Sequence, residues 1–181
     1  ILAVGGPSRS GKSVFVAELY RQLLARIPSR VFLQRACPDG EGMWSNEADP
    51  AIVKKIRRKG EFSPEFISFT LSSIESLANC FPILLVDLGG QITAENAEIL
   101  KRCSHFVVLS SIKDEIPLWQ EFALSNGCKI LAIFSTCLVR KEDGSINDEV
   151  RSSIDLESIP IRGELLNLDR ESTNHPYQES I

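Results

Sequence analysis

The sequence predicts a three-layer α/β sandwich on a mainly parallel sheet of five or six strands. Three features predict it: apolar runs recur at intervals, helix-period segments separate them, and a glycine-rich turn joins the first run to the first helix. The runs at 1–4, 31–33, 83–86, 106–109 and 130–134 read as buried strands. Between them, a helix over 13–27 ends before Pro28, and one over 48–59 ends before Gly60. A third, over 64–78, follows Ser63 with Pro64 in its first turn. Helices over 93–102 and 117–125 complete the alternation, the last stopped by Gly127. Past Phe134 the pattern weakens: 140–147 is polar with an Asp143-Gly144 turn, and 161–168 is expected as a last edge strand. The expectation is one nucleotide-binding domain over 1–170, followed by a mobile tail at 171–181.

Composition narrows the function classes. A chain of 181 residues buries roughly 70 % of its unfolded surface and can build a proper core. With 43 % hydrophobic and 24 % charged residues, it is neither disordered nor fibrous in character. A net charge of -4 argues against whole-molecule attraction to nucleic acid or anionic lipid, so any polyanion site must be local. Cys37, Cys80, Cys103, Cys128 and Cys137 form no C-x-x-C pair and read as free thiols of a cytoplasmic protein. No apolar run approaches the roughly 18 residues of a spanning helix, so no membrane partner is expected. Opening on a strand without methionine suggests a domain cut from a longer polypeptide.

The strongest motif is Gly6-Pro7-Ser8-Arg9-Ser10-Gly11-Lys12-Ser13, which matches G-x-x-x-x-G-K-S between a strand and an amphipathic helix. Such a P-loop turns backbone N–H groups onto phosphate oxygens at the positive end of a helix. The cofactors it implies are ATP and Mg2+, held by residues Gly6, Pro7, Ser8, Arg9, Ser10, Gly11, Lys12, Ser13 and Val14. Lys12 would place its charge at the β- and γ-phosphates, and the Ser13 hydroxyl would ligate Mg2+. Four fixed positions arise by chance in roughly one chain in a hundred or fewer, before flanking structure is demanded. Arg9 could reach phosphate or substrate, or be an ordinary exposed loop arginine.

The run at 82–87 is an apolar strand ending in Asp87, the pattern of a carboxylate that holds Mg2+ through water. Asp87 is therefore a metal and catalytic candidate, although an aspartate ending a strand also serves as a turn former or cap. Asp87-Leu88-Gly89-Gly90 further reads as D-x-x-G, where a glycine amide could sense the γ-phosphate or simply make a turn. Leu88 stands where motor-type ATPases carry a glutamate, which favours the kinase-like branch of P-loop NTPases. In that branch the acceptor belongs near the end of the second strand.

There, Gln34-Arg35-Ala36-Cys37-Pro38-Asp39-Gly40-Glu41-Gly42-Met43-Trp44 enters a glycine-rich loop. Asp39 could activate an acceptor hydroxyl as a catalytic base, Arg35 could clamp phosphate, and Glu41 and Trp44 could contact substrate. Pro-Asp-Gly is equally a common turn, and Trp44 equally a core residue. The cations at 54–59, Lys55 and Arg58 among them, face away from Ile52, Val53 and Ile56. They form either a face for RNA or another acidic partner, or a solvated helix face. His105 reads as structural, and His175 sits in the tail.

Together, Val4 to Ser13, Gln34 to Gly42 and Val86-Asp87-Leu88-Gly89-Gly90 resemble the P-loop domain, loosely called AAA, fused to the CRISPR-associated ring nuclease of type III systems. The resemblance runs over most of residues 1–170. It implies a fused or associated partner domain that degrades cyclic oligoadenylate; Leu88 departs from the AAA pattern. The functional expectation is a Mg2+-dependent phosphotransferase or NTPase, concretely a 5′-kinase of RNA or short oligoadenylate. A nucleotide-binding regulatory module with little catalysis, and a small-metabolite kinase, are the alternatives. No N-K-x-D motif selects GTP over ATP, and the reading leaves room for a homo-oligomer.

Overall fold

The computed structural model describes residues 1–38, 62–147 and 149–168. The helix expected over 48–59, the tail at 171–181 and the boundary at 170 lie outside the described residues. In chain order the elements are β1 (Leu2–Gly5), α1 (Lys12–Arg26), β2 (Val31–Ala36), α2 (Pro64–Cys80), β3 (Ile83–Leu88), α3 (Ala94–Leu100) and β4 (His105–Ser110). A single 3-10 turn at Lys113–Glu115 leads into α4 (Ile116–Ser125), and β5 (Lys129–Cys137), β6 (Ser153–Asp155) and β7 (Ile161–Leu166) close the described chain.

The helices begin where local chemistry stops the strand pattern. Ser63 caps α2 by accepting a hydrogen bond from the Phe66 amide at 3.2 Å, with Pro64 fixing the first turn. Thr93 caps α3 in the same way through the Asn96 amide. α1 differs: its N-cap is Gly11 in a left-handed conformation (φ 74°), and no side chain caps its first turn. Helix α4, whose N-cap is Glu115, likewise has no side-chain cap.

The strands form one sheet in the order β2-β3-β1-β4-β5-β7-β6, parallel except for β6. This is the mainly parallel sandwich expected, with seven strands among the described residues instead of five or six. The expected last edge strand exists as Ile161–Leu166, but it is not the edge, because β6 pairs antiparallel along its outer side. Period-2 side chains divide the core into two layers. Ala3, Leu84, Val86, Leu88, Phe106 and Val108 pack with α2, α3 and α4, where Phe106 stacks on buried Trp119. Val4, Val107, Leu109, Ala132 and Phe134 pack with Phe15 and Val16 of α1. Among the described residues no helix is long and apolar enough to cross a membrane.

Cys80, Cys103, Cys128 and Cys137 are free thiols. Burial pushes the Cys103 thiol up to about 12, with Cys128 close by adding to the shift, and burial pushes Cys128 up to about 11. Both stay protonated across the neutral range, and the thiolate is the nucleophile. Mass spectrometry after native iodoacetamide treatment at about pH 8 should therefore find label on exposed Cys80 and Cys137, and on Cys103 and Cys128 only after denaturation.

Candidate functional site

The chain reverses its direction of travel across β1: β2 and β3 lie on one side, β4 and β5 on the other. In open parallel sheets ligands bind at the carboxyl ends of strands at such a switch. The loop from Gly6 to Gly11 sits there, at the end of β1. Its backbone is held by contacts that admit little else. Gly6 has φ 151°, and a Cβ on it would lie 1.6 Å from the Leu109 carbonyl oxygen. A Cβ on Gly11 would lie 2.6 Å from the Leu168 side chain.

The Ser10 hydroxyl accepts from the Ser111 amide at 3.1 Å, and buried Thr136 donates to the Ser10 carbonyl at 3.2 Å. The loop is thereby fastened to the ends of both β4 and β5. The sequence reading missed these two anchors. Their signal was available, because both strands leave their apolar runs through hydroxyl residues, Ser110-Ser111 and Ser135-Thr136.

Lys12 is buried, and its ammonium donates to the Pro7 carbonyl at 2.7 Å, curling back along the loop. Ser8 and Arg9 are exposed, Arg9 with a positive φ of 66°. Val14 packs its side chain against the α1 core layer, so any contact it makes with phosphate comes through its backbone.

On the β3 side, Ser13 donates its hydroxyl hydrogen to Asp87 Oδ2 at 3.1 Å. Asp87 is 3 % exposed, and its Oδ1 has no hydrogen-bond partner among the described residues. The parallel register sets Arg35 of β2 opposite Asp87. Arg35, also buried, places Nε 3.3 Å from Asp87 Oδ2 and donates from Nη2 to Ser13 Oγ at 3.1 Å. Burial pushes the Asp87 carboxyl above its ordinary range; the Arg35 and Lys12 charges and hydrogen bonds from Ser13 and Arg35 pull it back. A hard-oxygen pair with an orphaned carboxylate oxygen, beside a phosphate-type loop, is a donor set suited to Mg2+.

The loop after β3 closes on the same place. A Cβ on Gly90 would lie 2.4 Å from Ser8 Oγ and 2.8 Å from the Ser8 amide nitrogen, so the D-x-x-G glycine packs directly on the P-loop. Asn96 holds this turn from α3 by donating to the Gln91 carbonyl at 2.7 Å.

On the other side of β1 a cleft of 280 Å³ opens, lined by residues including Arg9, Gly11, Ser111, Cys137, Leu138 and Leu168. The motif thus has a carboxylate on one flank and a part-apolar cleft on the other.

A solved relative in shape is the cobyrinic acid a,c-diamide synthase from Mycobacterium smegmatis, determined with a bound ATP analogue and magnesium. It aligns with a TM-score of 0.53 at 13 % identity, over 78 % of this chain and 73 % of that one. The chain has the P-loop NTPase fold. No protein-family model matches it, and neither does any curated protein.

The structure therefore brings together Gly6, Gly11, Lys12, Ser13, Asp87 and Arg35. His105 lies at the opposite end of β4, exposed, with its ring nitrogen Nδ1 3.0 Å from Ser104 Oγ. Asp39, Glu41, Trp44, Lys55 and Arg58 lie outside the described residues. β2, which precedes them in the chain, ends at Ala36 opposite Leu88, one residue past the Arg35–Asp87 pair.

Proposed function

We propose that the chain binds ATP with Mg2+ and transfers the γ-phosphoryl group to water or to an acceptor hydroxyl. The observation that carries this reading is the Ser13–Asp87 pair, set by α1 and β3 against a glycine loop whose helix has no side-chain cap. The ATP analogue and magnesium on the structurally similar synthase agree with it. Uncapped amides of the α1 first turn satisfy phosphate oxygens at the positive end of the helix. Lys12 exchanges a neutral bond to the Pro7 carbonyl for stronger, charge-assisted bonds to phosphate. Ser13 and Asp87 would hold Mg2+, which would supply positive charge against the phosphates. The nucleoside then extends toward the cleft beside Leu138 and Leu168.

Leu88 is 1 % exposed and points into the layer opposite Asp87, so the residue after the metal carboxylate supplies no base. Activation of the acceptor falls to the segment after β2, with Asp39 the first residue to test. The resemblance to the ring-nuclease-associated domain makes RNA or short oligoadenylate the first acceptors to try, held by the cations at 54–59. A ring-nuclease partner, a homo-oligomer and a cytoplasmic setting belong to the same proposal.

The decisive experiment incubates the chain with Mg2+ and γ-labelled ATP, with and without 5′-hydroxyl oligoadenylate. Label on the oligonucleotide establishes a 5′-kinase. Label released only as phosphate leaves an NTPase, and retention of all label on intact ATP refutes transfer. The contact of Gly90 with Ser8 supports a second reading, a regulatory module, because phosphate at the loop would displace the turn after β3. That reading expects nucleotide-dependent mass or partner activity together with slow turnover.

Asp87→Asn keeps the shape and removes the charge. It should raise the Mg2+ concentration for half-maximal turnover by about 10–100-fold, read from a Mg2+ titration at saturating ATP.

A further inference from the structure

The two side chains assigned to Mg2+ already share a cation. Arg35 contacts both of them at once, through Nε to Asp87 Oδ2 and through Nη2 to Ser13 Oγ. We propose that Arg35 is a resident counter-cation of the metal site, which holds Ser13 and Asp87 in place without Mg2+ and must withdraw when Mg2+ enters with nucleotide. The inference rests on the proposed Mg-ATP site.

The geometry argues for displacement instead of coexistence. Mg2+ binds its oxygen ligands at about 2.1 Å and demands near-octahedral surroundings. Ser13 Oγ already donates to Asp87 and accepts from Arg35 at 3.1 Å each. A divalent ion on that oxygen would stand beside a guanidinium whose Nη2 is 3.1 Å from the same atom, and like charges repel strongly at so short a range in a partly buried site. Asp87 in turn cannot be left without a cation, because it is buried among apolar neighbours on β3. One positive charge therefore replaces another. The register Arg35↔Asp87 builds this exchange into the sheet, since the side chains project from the same face of neighbouring strands.

The test compares wild type with Arg35→Met. Thermal melting is followed in EDTA and in millimolar Mg2+ without nucleotide, and Mg2+ affinity is titrated on ATP-loaded protein with a fluorescent ATP analogue. Arg35→Met is expected to melt lower in EDTA and to recover on adding Mg2+, while wild type shows no Mg2+ shift. The variant's Mg2+ dissociation constant should fall about tenfold, because no competing charge has to leave. Equal destabilisation in EDTA and Mg2+ would reduce Arg35 to a structural filler and overturn the inference. ATP binding weakened alike with and without Mg2+ would make it a phosphate clamp and overturn it too. If wild type binds no Mg-ATP, the proposed function falls, and the Mg2+ rescue without nucleotide still decides the inference. Where Arg35→Met fails to fold, the Arg35→Met/Asp87→Asn pair decides: recovery of the fold supports charge compensation, and failure to recover refutes it.

Discussion

Lys12→Ala is expected to lower phosphoryl-transfer turnover by about 10²–10³-fold, the usual effect of removing one donor aimed at charge that develops in the transition state. The expectation follows from where the ammonium is held. Lys12 is 8 % exposed, and its partner is a carbonyl of the phosphate loop itself, so a short swing takes it to the phosphates. No other lysine or arginine of the motif is buried in this way, since Arg9 is exposed on the cleft side. Folding should survive, because the hydrogen bond from the ammonium to the Pro7 carbonyl lies within the loop and outside the two core layers. The check is release or transfer of γ-label under saturating Mg2+, alongside a melting curve of the variant. Turnover unchanged from wild type would mean that the chemistry is not at this loop.

The largest effect on stability is expected at Gly6. An alanine Cβ there would lie 1.6 Å from the Leu109 carbonyl oxygen, with φ at 151°. The obstacle is backbone of the neighbouring strand, so no rotamer change relieves it. Either the loop or β4 must move, at a cost of about 4 kcal/mol or more. That is a large share of the roughly 5–15 kcal/mol by which a domain is stable, so Gly6→Ala should be strongly destabilised. Gly144→Ala is the control: it has φ 85° but nothing within 4 Å of the added carbon. It should cost only about 1–2 kcal/mol, the ordinary penalty of left-handed backbone. Urea unfolding of the two variants separates close approach from backbone preference.

The elements that could be read from sequence are those with local signals. Each strand expected from an apolar run is present, and Pro64, Ser63 and Gly127 mark helix ends as their chemistry requires. β6 escaped because it spans three residues of which only Ile154 packs on a core layer, too short for a period to show. Its arrival also moved β7 from the edge to the interior of the sheet. The site divides in the same way. Gly6, Lys12 and Ser13 are neighbours in one loop and one helical turn, so their spacing already states the phosphate chemistry.

Asp87 could be chosen from sequence only by analogy with strands that end in a carboxylate, and Arg35 only as one basic residue in a polar loop. Their pairing comes from the β2–β3 register, which sets them face to face across neighbouring strands. Ser111, Thr136 and the cleft beside Leu138 and Leu168 likewise depend on which strands end next to β1. The sequence by itself determined the alternating α/β pattern and the phosphate loop, because hydrophobic period and glycine conformation act within a few residues. Tertiary structure alone decided which charge faces the metal carboxylate and where a nucleoside has room, because strand order and register bring together residues far apart in the chain.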